Sequence, residues 1–290
     1  MNKLLILLIM LFLVSCNSGN YSGKKDVITV SVSPFSYFAK AISGSDYDIN
    51  VMVPASADPH IYEPVPGQIA ALGSSVAYIS DGYLGFEMTW LDRFYETNKT
   101  MKRLSLGDKI DPLISGHHHQ GDHVEGADPH YWISPKCAMI MAPSVRELLC
   151  ELNPLQKHKY EANYQRLVIK IQELDKKARE LFSGVQNRSF MIYHPNLGYL
   201  ARDYGLEEIP VEYEGKEPPP SRMKELIDRA RKDRLKTVFV QREYDTKNAK
   251  AIAGEIGGEI RIIDPLSEDW QKVTIDIINA LHNSLIESSK

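Results

Sequence analysis

Strand-like and helix-like segments alternate along almost the whole chain, and this alternation constrains the fold more than any other feature. VITVSVS (27–33) reads as a strand, followed by a helix from Pro34 to about Ser43. DINVMVP (48–54) and VAYIS (76–80) are further strands, with a short helix around 66–73 between them. A helix near 86–97 and a short strand near 101–105 complete a first series. The second series starts with SFMIYH (189–194), a helix in LGYLARDYG and a strand in LEEIPVEY. It continues with the amphipathic SRMKELIDRARKD (221–233), the strand KTVFVQ (236–241) and a helix at 246–256. EIRIID (259–264) and a last helix at 270–286 end it. Strands joined through helices pair in parallel, and the helices cover both faces of the sheet.

Between the two series lies a helix-forming pattern of unusual length. Asn153-Pro154 opens it, with Asn as N-cap, Pro at the first helical position and Gln156 placed for a capping box. Ser183-Gly184 closes it. Some 29 residues at 1.5 Å each would make a rod of about 43 Å. A rod of that length suits a spine between two bodies better than an element inside one. The predicted fold is α/β: two lobes of mostly parallel sheet flanked by helices, joined by one long spine helix. The N-terminal lobe is expected over 26–152, the linking helix over 153–184 and the C-terminal lobe over 185–290.

The start of the chain is read differently. LLILLIMLFLV (4–14) is too short to span a membrane as a mature helix and fits a signal-peptide core. LVSC (13–16) resembles a lipobox, so residues 1–15 are expected to be removed and Cys16 to carry a lipid. Residues 16–25 then form a flexible tether. Cys137 and Cys150 fall on one predicted helix, 135–151, about 20 Å apart, and are expected as unpaired thiols. A net charge of −4 argues against nucleic acid as a partner.

Five of the nine histidines lie in GHHHQGDHVEGADPHYW, residues 116–132. His117, His118, His119 and His123 sit in a stretch with no apolar periodicity, read as a loop. His130 differs, because it stands in ADPHYWISP just before the 135–151 helix. His60 lies in SADPHIYEP after strand 48–54, and His194 and Asp264 end strands 189–194 and 259–264. Open α/β sheets bind ligands outside the carboxyl ends of their strands. Three imidazoles and one carboxylate suit zinc, whereas two of each lean toward manganese. Asp58, Glu63 and Asp128 are candidates to hold the second nitrogen of each ligating ring. The alternatives at this point are structural histidines and plain Asp-Pro turns. Metal binding by neutral imidazoles is expected to weaken as pH falls through about 6.5.

SADPHIYEPVPGQI, ADPHYWISP, MIYHPNLGYLARDYGL and IRIIDPLSED, in this order, resemble four segments of the zinc- and manganese-binding lipoproteins of ABC metal importers. The likeness runs from about residue 27 to 288. It implies two lobes bridged by a long helix with the ion between them, and His60, His130, His194 and Asp264 as ligands. It implies capture of Zn2+, with Mn2+ as the alternative, outside the inner membrane and delivery to an ABC permease with its ATPase. Manganese-handling relatives usually have Glu at the position of His194, so zinc is favoured. The short HHHQGDHVEG loop resembles the His- and acid-rich loop of zinc members and suggests an accessory collecting role. A monomer anchored by lipid is expected. Two departures stand out: Gln241-Arg242-Glu243 where many relatives read Glu-Pro-Gln, and Pro195-Asn196-Leu197 where an Ala-Phe pair is usual. Tyr62, Tyr131 and Trp132 beside the ligands are read as packing residues. A zinc metallohydrolase is a competing class, disfavoured because Asp264 would close the open position that catalysis needs and no H-E-x-x-H is present. An adhesin role is known for surface lipoproteins of this family, and nothing in the residues bears on it.

Overall fold

The computed structural model describes residues 25–54, 57–114, 126–212 and 216–289. The signal segment, Cys16 and the loop histidines His117, His118, His119 and His123 lie outside the described residues.

Each series of strands forms one four-stranded sheet. The first contains β1 (Val27–Val30), β2 (Asp48–Val51), β3 (Ser75–Ser80) and β4 (Lys102–Ser105), in the order β2-β1-β3-β4. The second contains β5 (Ser189–Ile192), β6 (Glu207–Pro210), β7 (Thr237–Gln241) and β8 (Glu259–Ile263), in the order β6-β5-β7-β8. All pairings are parallel, with Val27 opposite Asp48 in the first sheet and Ser189 opposite Glu207 in the second. Both lobes therefore share one topology. The strand order turns between β1 and β3, and again between β5 and β7, which puts a ligand-accepting crevice at the carboxyl ends of those strands.

The helices are α1 (Ser33–Ser43), α2 (Pro66–Leu72), α3 (Gly85–Thr97), α4 (Pro135–Leu152), α5 (Lys157–Ser183), α6 (Gly198–Tyr204), α7 (Pro220–Lys232), α8 (Lys247–Glu255) and α9 (Trp270–Glu287). The spine is α5, 27 residues or about 40 Å of rise. It buries Tyr160, Leu167, Ile171, Leu174, Ala178 and Phe182, one stripe at three-, four- and seven-residue steps. The capping box expected at Asn153 does not form. Pro154–Gln156 is a tight 3-10 turn, and the Gln156 N–H donates to the Asn153 carbonyl at 3.1 Å, so no side-chain cap is made there. Cys137 and Cys150 are free, as expected. Among the described residues no helix is long and apolar enough to cross a membrane.

One large apolar core runs from the N-terminal sheet through α4 and α5 into the C-terminal lobe. Period-two alternation divides the second sheet between two cores. Phe190, Ile192 and Phe239 face the shared core, while Met191, Tyr193, Val238 and Val240 face a smaller one under α7 and α8. The lobes are also tied directly. The indole N–H of Trp132 donates to the Pro265 carbonyl at 3.0 Å, and that of Trp270 to the Trp132 carbonyl at 2.6 Å. The Trp270 ring lies 4.9 Å from that of Phe38. A wide hinge between lobes needs a small, polar interface, and this interface is large and apolar.

Candidate metal centre

Asp-Pro-His occurs twice, and each copy folds into the same device. The Asp58 carboxylate accepts the His60 backbone N–H at 2.8 Å, and Asp128 accepts the His130 N–H at 2.8 Å. Such side-chain caps are what Asp two residues earlier can do in a turn. Asp128 also reaches the His130 ring, Oδ1 to Nδ1 at 2.7 Å. His130 opens a 3-10 turn, His130–Ile133, whose four side chains are all buried. The turn is thereby fixed to the core.

His194 stands two residues beyond β5, not at its last residue. Tyr193 N–H still bonds the Phe239 carbonyl at 2.8 Å, and the chain then leaves the sheet. Gln241 takes over. Its amide nitrogen donates to the His194 carbonyl at 2.5 Å, and its Oε1 accepts the His194 N–H at 3.4 Å. Glu212 Oε2 meets His194 Nδ1 at 2.5 Å. The Tyr244 ring stacks on the imidazole at 4.9 Å and 13°. Its hydroxyl donates across the cleft to Asp58 at 3.3 Å.

The three rings converge on one point. His60 Nε2 lies 3.0 Å from His130 Nε2 and 3.1 Å from His194 Nε2. One nitrogen from each of the three lies within 4.8 Å of those of the other two. Carboxylates at Nδ1 of His130 and His194 fix the ring proton there, which leaves both Nε2 lone pairs facing inward. His60 can donate one N–H to one of them. With the His60 proton on Nδ1 instead, all three Nε2 lone pairs are open to a cation. The cavity at this point, ≈ 10 Å³, has room for a single ion or water. Pro59, Trp132, Asn196, Glu243, Tyr244 and Leu266 complete its wall.

Burial pushes His60 down to about 2, and repulsion from His130 and His194 adds to it. Burial also lowers His130, against the raising effect of Asp128. Both rings thus stay neutral below 6.5, and proton competition at these two ligands sets in at lower pH than the sequence suggested.

Asp264 stands apart from the three rings. It follows β8 directly, pairs with Arg242 at 3.4 Å and lines a separate groove. Glu63 is exposed, whereas Asp58 and Asp128 do brace the site. Tyr131 and Trp132 are buried in the core, and Tyr62 packs on Phe86 at 6.1 Å. Sequence reasoning missed Glu212 and Tyr244, whereas Asn196 falls in one of the two departures from the family pattern. Tyr244 had a readable signal, since it lies just past the end of a strand, whereas Glu212 falls inside the expected strand LEEIPVEY, which ends at Pro210 in the structure.

A family model described as "ZnuA: Zinc-uptake complex component A periplasmic" matches residues 28–285. The zinc-binding lipoprotein AdcA of Streptococcus pneumoniae is 27% identical over 97% of this chain, which spans 59% of that relative's length. The high-affinity zinc uptake system protein ZnuA of Bacillus subtilis is 25% identical, with 94% of this chain and 91% of that protein covered. A crystal structure of ZnuA superimposes with a TM-score of 0.85 at 36% identity, covering 90% of this chain and 99% of the other. With the matched span taking in both lobes and all three converging histidines, the chain belongs to the ZnuA family of periplasmic zinc-uptake components.

Proposed function

We propose that this chain is an extracytoplasmic carrier that captures Zn2+ between its lobes and hands it to an ABC permease with its ATPase. Cys16 is the proposed lipid anchor, and the protein works as a monomeric binding component without catalysis of its own. The observation that carries the reading is that His60 Nε2 lies about 3 Å from the Nε2 atoms of both His130 and His194, whose Nδ1 positions are held by carboxylates. Such a set suits an ion that prefers nitrogen donors in a tetrahedron. His60, His130 and His194 are the proposed imidazole ligands. Two carboxylates stand on the C-terminal side for the fourth position, Asp264 after β8 and Glu243 after β7. His117, His118, His119 and His123 form the proposed collecting loop. Mn2+ is the second cargo to test, and three imidazoles put it behind zinc.

Elemental analysis of the purified chain, followed by competition titration of the metal-free protein with Zn2+ and Mn2+, tests the reading. One tightly held zinc per chain, preferred over manganese, is expected. A protein that holds neither ion, or that turns over ester substrates when zinc is added, overturns it.

A further inference from the structure

Both departures from the family pattern fall on the same wall of the metal cavity. Asn196 lines the cavity, is 3% exposed, and its Oδ1 has no hydrogen-bond partner among the described residues. Glu243 lines the same cavity. Asp264, the carboxylate that the resemblance marks as ligand, does not.

Topology accounts for this placement. β5 and β7 are neighbours and flank the point where the strand order turns. The loop after β5 carries His194 and Asn196, and the loop after β7 carries Arg242, Glu243 and Tyr244. Tyr244 stacks on His194, and Glu243 just before it lines the same cavity. β8 is the outer neighbour of β7, and a strand spacing of about 4.8 Å separates its end further from His194.

Chemistry points the same way. Asp264 has a cationic partner in Arg242, though the Arg side chain is 72% exposed and such pairs are weak. Glu243 forms no ion pair with a described residue, and its hydrogen bond is to its own backbone N–H. A half-buried carboxylate beside neutral imidazoles gains most from a divalent cation.

We propose that Glu243, and not Asp264, supplies the carboxylate that closes the shell around the captured ion. The proposal rests on reading the three histidines as ligands of that ion. Glu243 lies outside the tight imidazole group, so it swings in by rotamer change as the ion enters. Replacing the third residue of Glu-Pro-Gln by a glutamate thus moves the anionic ligand from one strand end to the next.

The test uses the full chain, metal-free, near neutral pH. Zn2+ is titrated against a chromophoric chelator for the wild type, Glu243→Gln, Asp264→Asn and His130→Ala. Co2+ is added in parallel, and its visible absorption reports the ligand set. Glu243→Gln is expected to weaken zinc by about 100-fold and to change the Co2+ spectrum, with Asp264→Asn within about 3-fold of wild type and spectrally unchanged. Glu243→Asp, with the charge kept but the reach shortened, should recover part of the loss. The opposite ranking overturns the proposal, as do equal losses in both carboxylate variants or none in either. An unaffected His130→Ala removes the metal site itself, an outcome distinct from failure of Glu243 alone. Melting of the metal-free variants shows whether each is folded. If Glu243→Gln melts early, the Co2+ spectrum of Glu243→Asp decides: a spectrum shifted from wild type supports the proposal, and an unchanged one overturns it.

Discussion

His130 and His194 come within 3.0 and 3.1 Å of the same atom, His60 Nε2, yet the chain holds them by opposite means. His130 is fixed locally. One carboxylate two residues earlier takes both its backbone N–H and its ring, and the turn that follows is buried in the core shared by both lobes. His194 is fixed from afar. Glu212, Gln241 and Tyr244 hold it from 18, 47 and 50 (244 − 194) positions further along, over the smaller core of the C-terminal lobe. One wall is preformed by its own sequence, and the other is assembled by the sheet.

The strongest way to break this contrast is to remove the preformed side. Zinc at 100 times its dissociation constant should stabilise the chain by about 2.7 kcal/mol, or about 5–10 °C in melting temperature. His130→Ala should abolish most of that shift in a thermal melt with and without Zn2+. An undiminished shift would sink the assignment of the ligand set.

The second test compares the braces. Asp128→Ala takes away a main-chain and a ring contact at once, whereas Glu212→Ala leaves His194 with Gln241 and Tyr244. Both should lower zinc affinity in a chelator competition, by about 10- to 100-fold, with Asp128→Ala at the upper end. Equal losses would mean that the two walls are equally stiff.

The same contrast governs what can be read without coordinates. His60 and His130 are legible because Asp-Pro-His carries its own turn chemistry within three residues. The strand and helix order is legible because period-two and helical apolar patterns are local. The spine shows through Ser183-Gly184 and its apolar stripe, although the 3-10 turn at Pro154 replaces the expected cap. What escapes is everything that depends on strand order. Nothing in the residues says that β7 rather than β8 lies beside β5. Hence Glu243 reads only as a departure in the cleft wall and not as a ligand, while Asp264 reads as a residue of the site. His194 reads as a strand end because Tyr193 and His194 continue an apolar run, but the strand stops at Ile192 once its partners change.

The smallest effect expected lies where the two walls touch. Asp128 Oδ2 and Glu208 Oε2 both approach Gly198, at 3.2 and 3.4 Å from where a Cβ would stand. Glu208 accepts the N–H groups of Asn196 and Leu197, at 3.1 and 2.7 Å, and so supports the loop after His194. Burial pushes its carboxyl up to about 8, and Asp128 adds to this against the two N–H bonds. Between about 4.5 and 8 the folded chain therefore keeps a proton that the unfolded chain has lost. This group's contribution is greatest at low pH and declines as pH rises, by at most about 1.4 kcal/mol per unit. His60 and His130, with lowered values, act in the other direction, and most strongly below 6.5. Across the window from 6.5 to 8 their opposing slope fades as the unfolded imidazoles lose their last protons. Glu87, raised to about 7 chiefly by its burial, contributes a part that a change at Glu208 leaves alone. Melting of the metal-free wild type should fall across that window, and Glu208→Gln should fall less. An unchanged slope would mean that Glu208 is already ionised there, held by its two backbone donors, and that the walls meet as two charges rather than one.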